Sequence, residues 1–117
     1  MKMNLKVKLY LEDGNEKFMG IGVLWLLQKI KETGSLRQAA AGMDISYSKA
    51  FNMISNLEKT LGKPVLERRR GGQDRQGSVL TPYAEQFMSL YDSFQKECKE
   101  LLKDPFDRFS KELKKLD

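Results

Sequence analysis

The sequence predicts a mainly α-helical domain with a small β-sheet, and three observations carry that expectation. Apolar residues recur at helical spacing in stretches starting near Val23, Leu36, Ala50, Ala84 and Phe106. Short β-prone runs, Leu5–Leu11, Val65–Arg68 and Ser78–Thr81, stand where that period lapses. Cap residues punctuate the rest: Ser35, Ser46 and Thr81 sit where helices should begin, Gly34 and Gly62 where they should stop. A chain of 117 residues suits one modest hydrophobic core.

In Leu5–Leu11, Leu5, Val7, Leu9 and Leu11 alternate with Lys6, Lys8 and Tyr10, the period of a strand with one buried face. Asp13-Gly14-Asn15 follows as a turn. Val23, Leu26, Leu27 and Ile30 then form the stripe of an amphipathic helix ending near Thr33-Gly34. Trp25 lies off the centre of that stripe, suiting a flank of the core or a subunit contact.

Ser35 with Gln38 is a capping-box pattern, and Leu36, Ala39 and Ala40 give a second helix a small buried face for close approach. Gly42 ends it, with Ile45 as a core plug in the short connection. Ser46 caps a third helix with Ala50, Met53, Ile54, Leu57 and Leu61 on one side. Ser48, Asn52, Ser55 and Lys59 take the other. Gly62 and Pro64 prevent its continuation.

Val65–Arg68 and Ser78–Thr81 form a hairpin around RRGGQDRQG, and Leu5–Leu11 is placed beside it as a third strand. Thr81-Pro82 then opens a long helix of roughly 33 Å. Along it Ala84, Phe87, Tyr91, Phe94, Cys98 and Leu101 follow a heptad-like spacing. Asp104-Pro105 repeats the cap-plus-proline signal before a last amphipathic helix with Phe106, Phe109, Leu113 and Leu116.

This order of elements is that of a winged helix-turn-helix followed by a long C-terminal dimerisation helix. It divides the chain into a DNA-binding domain over residues 1–81, with its N-terminal strand, and C-terminal helices over 82–117.

Composition removes other function classes. With 40% hydrophobic and 32% charged residues the chain reads as soluble and globular. No apolar run is long enough to span a bilayer, so no membrane partner is expected, and MKMNLKVKLY lacks the apolar block of a signal peptide. Cys98 is the only cysteine and there is no histidine, so neither a zinc site nor a histidine-based catalytic set can be assembled. We therefore expect a cytoplasmic protein with no cofactor, no metal and no enzymatic activity. The net charge of +5 invites a polyanion, and four units of that surplus fall between Ser46 and Thr81.

Direct readout of bases needs short polar side chains on the exposed N-terminal part of a groove-inserted helix. Here these are Ser46, Tyr47, Ser48, Lys49 and Asn52. Asn pairs adenine in bidentate fashion, Lys favours guanine acceptors, and hydroxyls suit phosphates or base edges. The plain alternative is a solvated helix face, and for Ser46 a cap. Arg68, Arg69, Arg70 and Arg75 belong to the hairpin, where they can follow the backbone or probe the minor groove. Ser35 and Arg37 open the second helix, whose amides can meet a phosphate. Phe87, Tyr91, Phe94, Cys98 and Leu101 are assigned to a homodimer interface, with packing on their own domain as the alternative.

With these residues in view, the chain resembles the DNA-binding domain of the ModE molybdate-responsive repressors, itself similar to the LysR-type winged helix. The resemblance covers about Leu5 to Leu102. It rests on LKVKLYLE, GSLRQAAAGMDISYSKAF and LERRRGGQDRQGSVLTPYAEQFM. It implies a dimer on a palindromic operator in double-stranded DNA, contacted by Ser46, Tyr47, Ser48, Lys49, Asn52, Arg68, Arg69 and Arg75. Gln73-Asp74-Arg75-Gln76 departs from the family's glycine-rich wing and stiffens it. The family's repressors continue into oxyanion-binding β-barrel domains, whereas this sequence ends at Asp117, so molybdate sensing is not carried over. An effector, if there is one, is expected at the dimer interface or on a separate effector-sensing partner. A module docking on another regulator through the C-terminal helices is the competing function. RNA binding ranks lower, for want of an aromatic stacking surface.

Overall fold

The computed structural model of the chain describes residues 1–68 and 77–116, Arg68 by its backbone alone. A hairpin of β1 (Tyr10–Asp13) and β2 (Glu16–Gly20) leads into three helices, α1 (Ile21–Thr33), α2 (Leu36–Gly42) and α3 (Tyr47–Leu61). A second hairpin, β3 (Leu66–Arg68) and β4 (Ser78–Leu80), precedes α4 (Pro82–Leu101) and α5 (Lys103–Lys114). Both hairpins are antiparallel, and they form separate two-stranded sheets.

Helix α1 is the centre of the core. Leu26, Leu27 and Ile30 are fully buried, each contributing about 1.5–3 kcal/mol of transfer free energy. Around them pack Ala39 and Ala40 of α2, Ala50, Ile54 and Leu57 of α3, Val65, Leu80, and Ala84 and Met88 of α4. Helices α1 and α3 stop as their glycines require. Gly34 (φ 69°) and Gly62 (φ 71°) take the left-handed conformation, and their N–H groups donate to Ile30 O and Glu58 O at 2.8 Å.

The N-terminal strand differs from expectation. It begins at Tyr10 rather than Leu5, and residues 1–9 have no regular structure. Its partner is β2, with Tyr10 opposite Gly20 and Leu11 opposite Met19, rather than the second hairpin. The reason is the length of the partner: α1 starts at Ile21, so no backbone is left to pair with residues before Tyr10. Strand β2, EKFMG, escaped the sequence reading because only Phe18 and Met19 of its five residues turn toward the core.

Thr81 joins the second hairpin to α4. Its side chain accepts from Ala84 N (3.1 Å) and donates to Pro64 O (2.8 Å), and its N–H donates to Val65 O (3.0 Å). Pro82 occupies the first helical turn as expected. The second cap-plus-proline signal reads differently in three dimensions. α5 starts at Lys103 with Leu102 before it, so Asp104 and Pro105 lie inside the first turn. A proline is tolerated there because first-turn N–H groups have no intrahelical acceptor, and the Asp104 carboxylate suits the positive helix end.

The heptad-like seam of α4 is divided between two surroundings. The face turned to the core is Ala84, Met88, Tyr91 and Gln95, which shares only Ala84 and Tyr91 with the seam. Phe87 and Cys98 are half-buried, while Phe94 and Leu101 are exposed. Tyr91 therefore belongs to its own domain's core, and its hydroxyl donates to Leu9 O at 2.7 Å, tying down the N-terminal segment. The C-terminal helices extend the molecule to 67 Å against 28 and 23 Å in the other directions. Among the described residues no helix is long and apolar enough to cross a membrane.

Thr81→Ala should lower the unfolding free energy by about 1–3 kcal/mol, through loss of the cap and of the Pro64 bond, with Thr81→Ser nearly neutral. Urea denaturation checks both. Burial raises the Tyr91 phenol above its ordinary pKa. Its contribution is thus complete below the unfolded value near pH 10 and is lost as pH rises through the raised folded value. In the same denaturation series, Tyr91→Phe should cost about 0.5–1.5 kcal/mol at neutral pH and lack that alkaline loss.

Candidate nucleic-acid interface

The candidate surface is built on α3, whose two sides have opposite surroundings. Ala50, Ile54 and Leu57 are buried against α1 and α2, so the helix is fixed in rotation as well as position. That leaves Ser46, Ser48, Lys49 and Asn52 exposed on the opposite side at its N-terminal end. Ser46 accepts from Lys49 N at 3.0 Å, the cap expected of it, while remaining exposed.

Tyr47 is half-buried and joins two neighbours. The Arg37 guanidinium lies 4.6 Å from the Tyr47 ring centroid, a cation–π contact between α2 and α3. Phe51 is also beside Tyr47, at 6.2 Å between centroids with planes tilted by 31°. The sequence reading proposed Arg37 and Tyr47 as separate contacts and missed Phe51. Its signal was an aromatic residue one position off the apolar stripe and four after Tyr47, which places both on one helix face.

Ser35 departs from the expected surface contact. It is only 5% exposed, its hydroxyl accepts from Gln38 N at 3.1 Å, and its backbone bridges to Gly77. Its position is fixed by packing at the loop-side end of β4, where Ser78 N also donates to Gly34 O at 2.8 Å. The α1–α2 junction thus anchors one end of that hairpin.

The other end is anchored by Glu58, which no sequence pattern singles out. Its carboxylate accepts from Val65 N at 2.8 Å and from Leu66 N at 3.4 Å. Glu58 therefore holds the start of β3 against the helix whose exposed side carries Asn52. Between α3, Arg37 and the hairpin base runs a groove of about 290 Å³, floored by Leu36 and Ile54. Arg68 sits in β3 opposite Ser78, while Arg69, Arg70 and Arg75 lie outside the described residues. Among the described residues no cluster of side chains could hold a metal ion.

Three helices with a core-backed third helix, followed by a hairpin clamped beside it, define a winged helix-turn-helix domain. Residues 22–85 match the family described as bacterial regulatory helix-turn-helix protein, lysR family, and the chain belongs to that family. It is 40% identical over 67 residues to the transcriptional regulator ModE of Haemophilus influenzae, covering 57% of this chain and 26% of that protein. It is 36% identical over 67 residues to the DNA-binding transcriptional dual regulator ModE of Escherichia coli, again covering 57% and 26%. The chain thus spans about a quarter of the length of these relatives.

Among solved structures, the CbnR_DBD–DNA complex has a TM-score of 0.54 at 23% identity, covering 81% of this chain and 99% of that one. The BenM_DBD complex with benA site 1 DNA gives 0.55 at 23%, covering 79% and 97%. At these identities the likeness is one of fold.

Glu58→Ala should leave the helices intact but accelerate amide exchange at Val65 by about tenfold or more, as loss of a charged acceptor implies. Hydrogen exchange followed by NMR measures this directly, and unchanged protection would remove Glu58 from the anchoring role.

Proposed function

We propose that the chain is a dimeric, sequence-specific regulator of transcription that binds double-stranded DNA without catalysis. The observation that carries this reading is α3: a serine-capped helix fixed by its core side, with Ser48, Lys49 and Asn52 exposed at its N-terminal end. In this reading α3 enters the major groove, with Ser46, Tyr47, Ser48, Lys49 and Asn52 as its contact set and Arg37 bracing Tyr47. The arginines of the hairpin over 65–81 lie on the backbone or in the minor groove. The names of the relatives, transcriptional regulators and DNA complexes, favour the same class. Residues 1–81 then form the binding domain and 82–117 the helices that pair two copies in the cytoplasm.

Exposed Leu90, Phe94 and Leu101 on α4, with half-buried Phe87 and Cys98, support that pairing. A palindromic operator with half-sites about one turn, roughly 34 Å, apart would match the symmetry. The exposed Phe109 of α5 and Leu116 just beyond it favour a second reading, a module docking on another regulator through its C-terminal helices. That reading requires tight partner capture with only non-specific DNA binding.

Fluorescence anisotropy on the chain's own upstream DNA separates the two. We expect preference over random duplex and affinity falling steeply with salt; salt-insensitive binding or no preference rejects the proposal. Asn52→Ala should relax sequence preference at a cost of about 1–3 kcal/mol, whereas Arg69→Ala should weaken all sequences alike. In sedimentation velocity, Phe94→Asp should shift the dimer toward monomer.

A further inference from the structure

Away from α3, the N-terminal segment, α1, α4 and α5 enclose a cleft of about 550 Å³. This is within the ordinary range for a small-molecule site. Its apolar wall is made by Leu5 and Val7 of the segment, Ile21 and Trp25 of α1, and Phe106 of α5. Four lysines line it as well: Lys6, Lys8, Lys99 and Lys103. Lys103 is paired with Glu100 at 2.7 Å, but Lys6, Lys8 and Lys99 make no ion pair among the described residues. An uncompensated positive rim therefore surrounds an apolar floor.

Gln95 supplies a second, independent observation. It is only 5% exposed, yet its amide makes no hydrogen bond among the described residues. No fully occluded side-chain nitrogen or oxygen lacks a partner there, so the Gln95 amide opens into the cleft it lines. An unpartnered amide that opens into a cleft is free to bond an occupant or water.

We infer that this cleft binds an amphipathic organic anion: a carboxylate held by Lys8, Lys99 and the Gln95 amide, on an aliphatic or aromatic body packed against Trp25 and Phe106. The apolar walls disfavour an inorganic oxyanion, which would lose hydration against them without compensation. Along α1, Ile21 lies roughly 20 Å and Trp25 roughly 13 Å from Gly34, where the helix end meets the second hairpin, and Trp25 also borders a pocket lined by Lys49 of α3. An occupant would touch four chain segments at once, including the junction of α4 and α5.

Trp25 is the only tryptophan in the chain and half exposed in the cleft, so its emission reports occupancy directly. The test titrates the full chain with octanoate below its micellar range, beside octanamide, sodium phosphate and a competing random duplex. We expect a saturable shift with octanoate, weaker by about tenfold or more for octanamide, absent with phosphate and undisturbed by the duplex. The Lys8→Ala/Lys99→Ala double variant and, separately, Gln95→Leu should each weaken octanoate by about tenfold while retaining the wild-type circular dichroism spectrum. An unsaturable response, equal binding of octanamide or phosphate, displacement by the duplex, or undiminished binding by both folded variants would overturn the proposal.

Discussion

One side-chain hydroxyl connects the two halves of this molecule. Thr81 Oγ1 accepts the Ala84 N–H in the first turn of α4 and donates to the Pro64 carbonyl ahead of β3, and the residue is almost wholly buried. Because a hydroxyl can be donor and acceptor together, one atom satisfies a helix terminus and a strand entry at the same time. The start of α4 is thereby referenced to the second hairpin, and Glu58 references that hairpin to α3. α4, the second hairpin and α3 are linked by three short polar contacts around an aliphatic core.

The core and these contacts act on different degrees of freedom. Burial of Leu26, Leu27, Ile30 and Leu57 supplies the driving force for helix packing, but it is nearly indifferent to small rotations. Hydrogen bonds at Ser46, Glu58 and Thr81 are directional and fix how each element enters and leaves that packing. A surface meant to match a groove needs both. The Arg37–Tyr47 cation–π contact, with Phe51 tilted beside Tyr47, adds a lateral brace at the edge of the exposed helix side.

The C-terminal helices have a different character. α4 packs one face on the core through Ala84, Met88, Tyr91 and Gln95 and leaves Leu90, Phe94 and Leu101 to solvent. α5 has no buried residue. Two unsatisfied surfaces result, an exposed apolar ridge suited to a second copy and a lysine-rimmed cleft beneath the N-terminal segment. Both surfaces border α4.

The sequence by itself determined the helices and most of their limits. The stripe on α1, the caps at Ser35, Ser46 and Thr81, and the stops at Gly34 and Gly62 are local features, set by neighbours within four residues, and each stands where the pattern put it. The polar side of α3 was legible for the same reason. Tertiary structure alone decided which strand pairs with Tyr10–Asp13, because pairing depends on where a partner's backbone ends. It also decided that Ser35 is enclosed, that Tyr91 serves its own core, and that Glu58 and Phe51 belong to the candidate surface. Each of these turns on contacts between residues distant in sequence or on the rotation of a helix about its axis, and a one-dimensional period does not encode either.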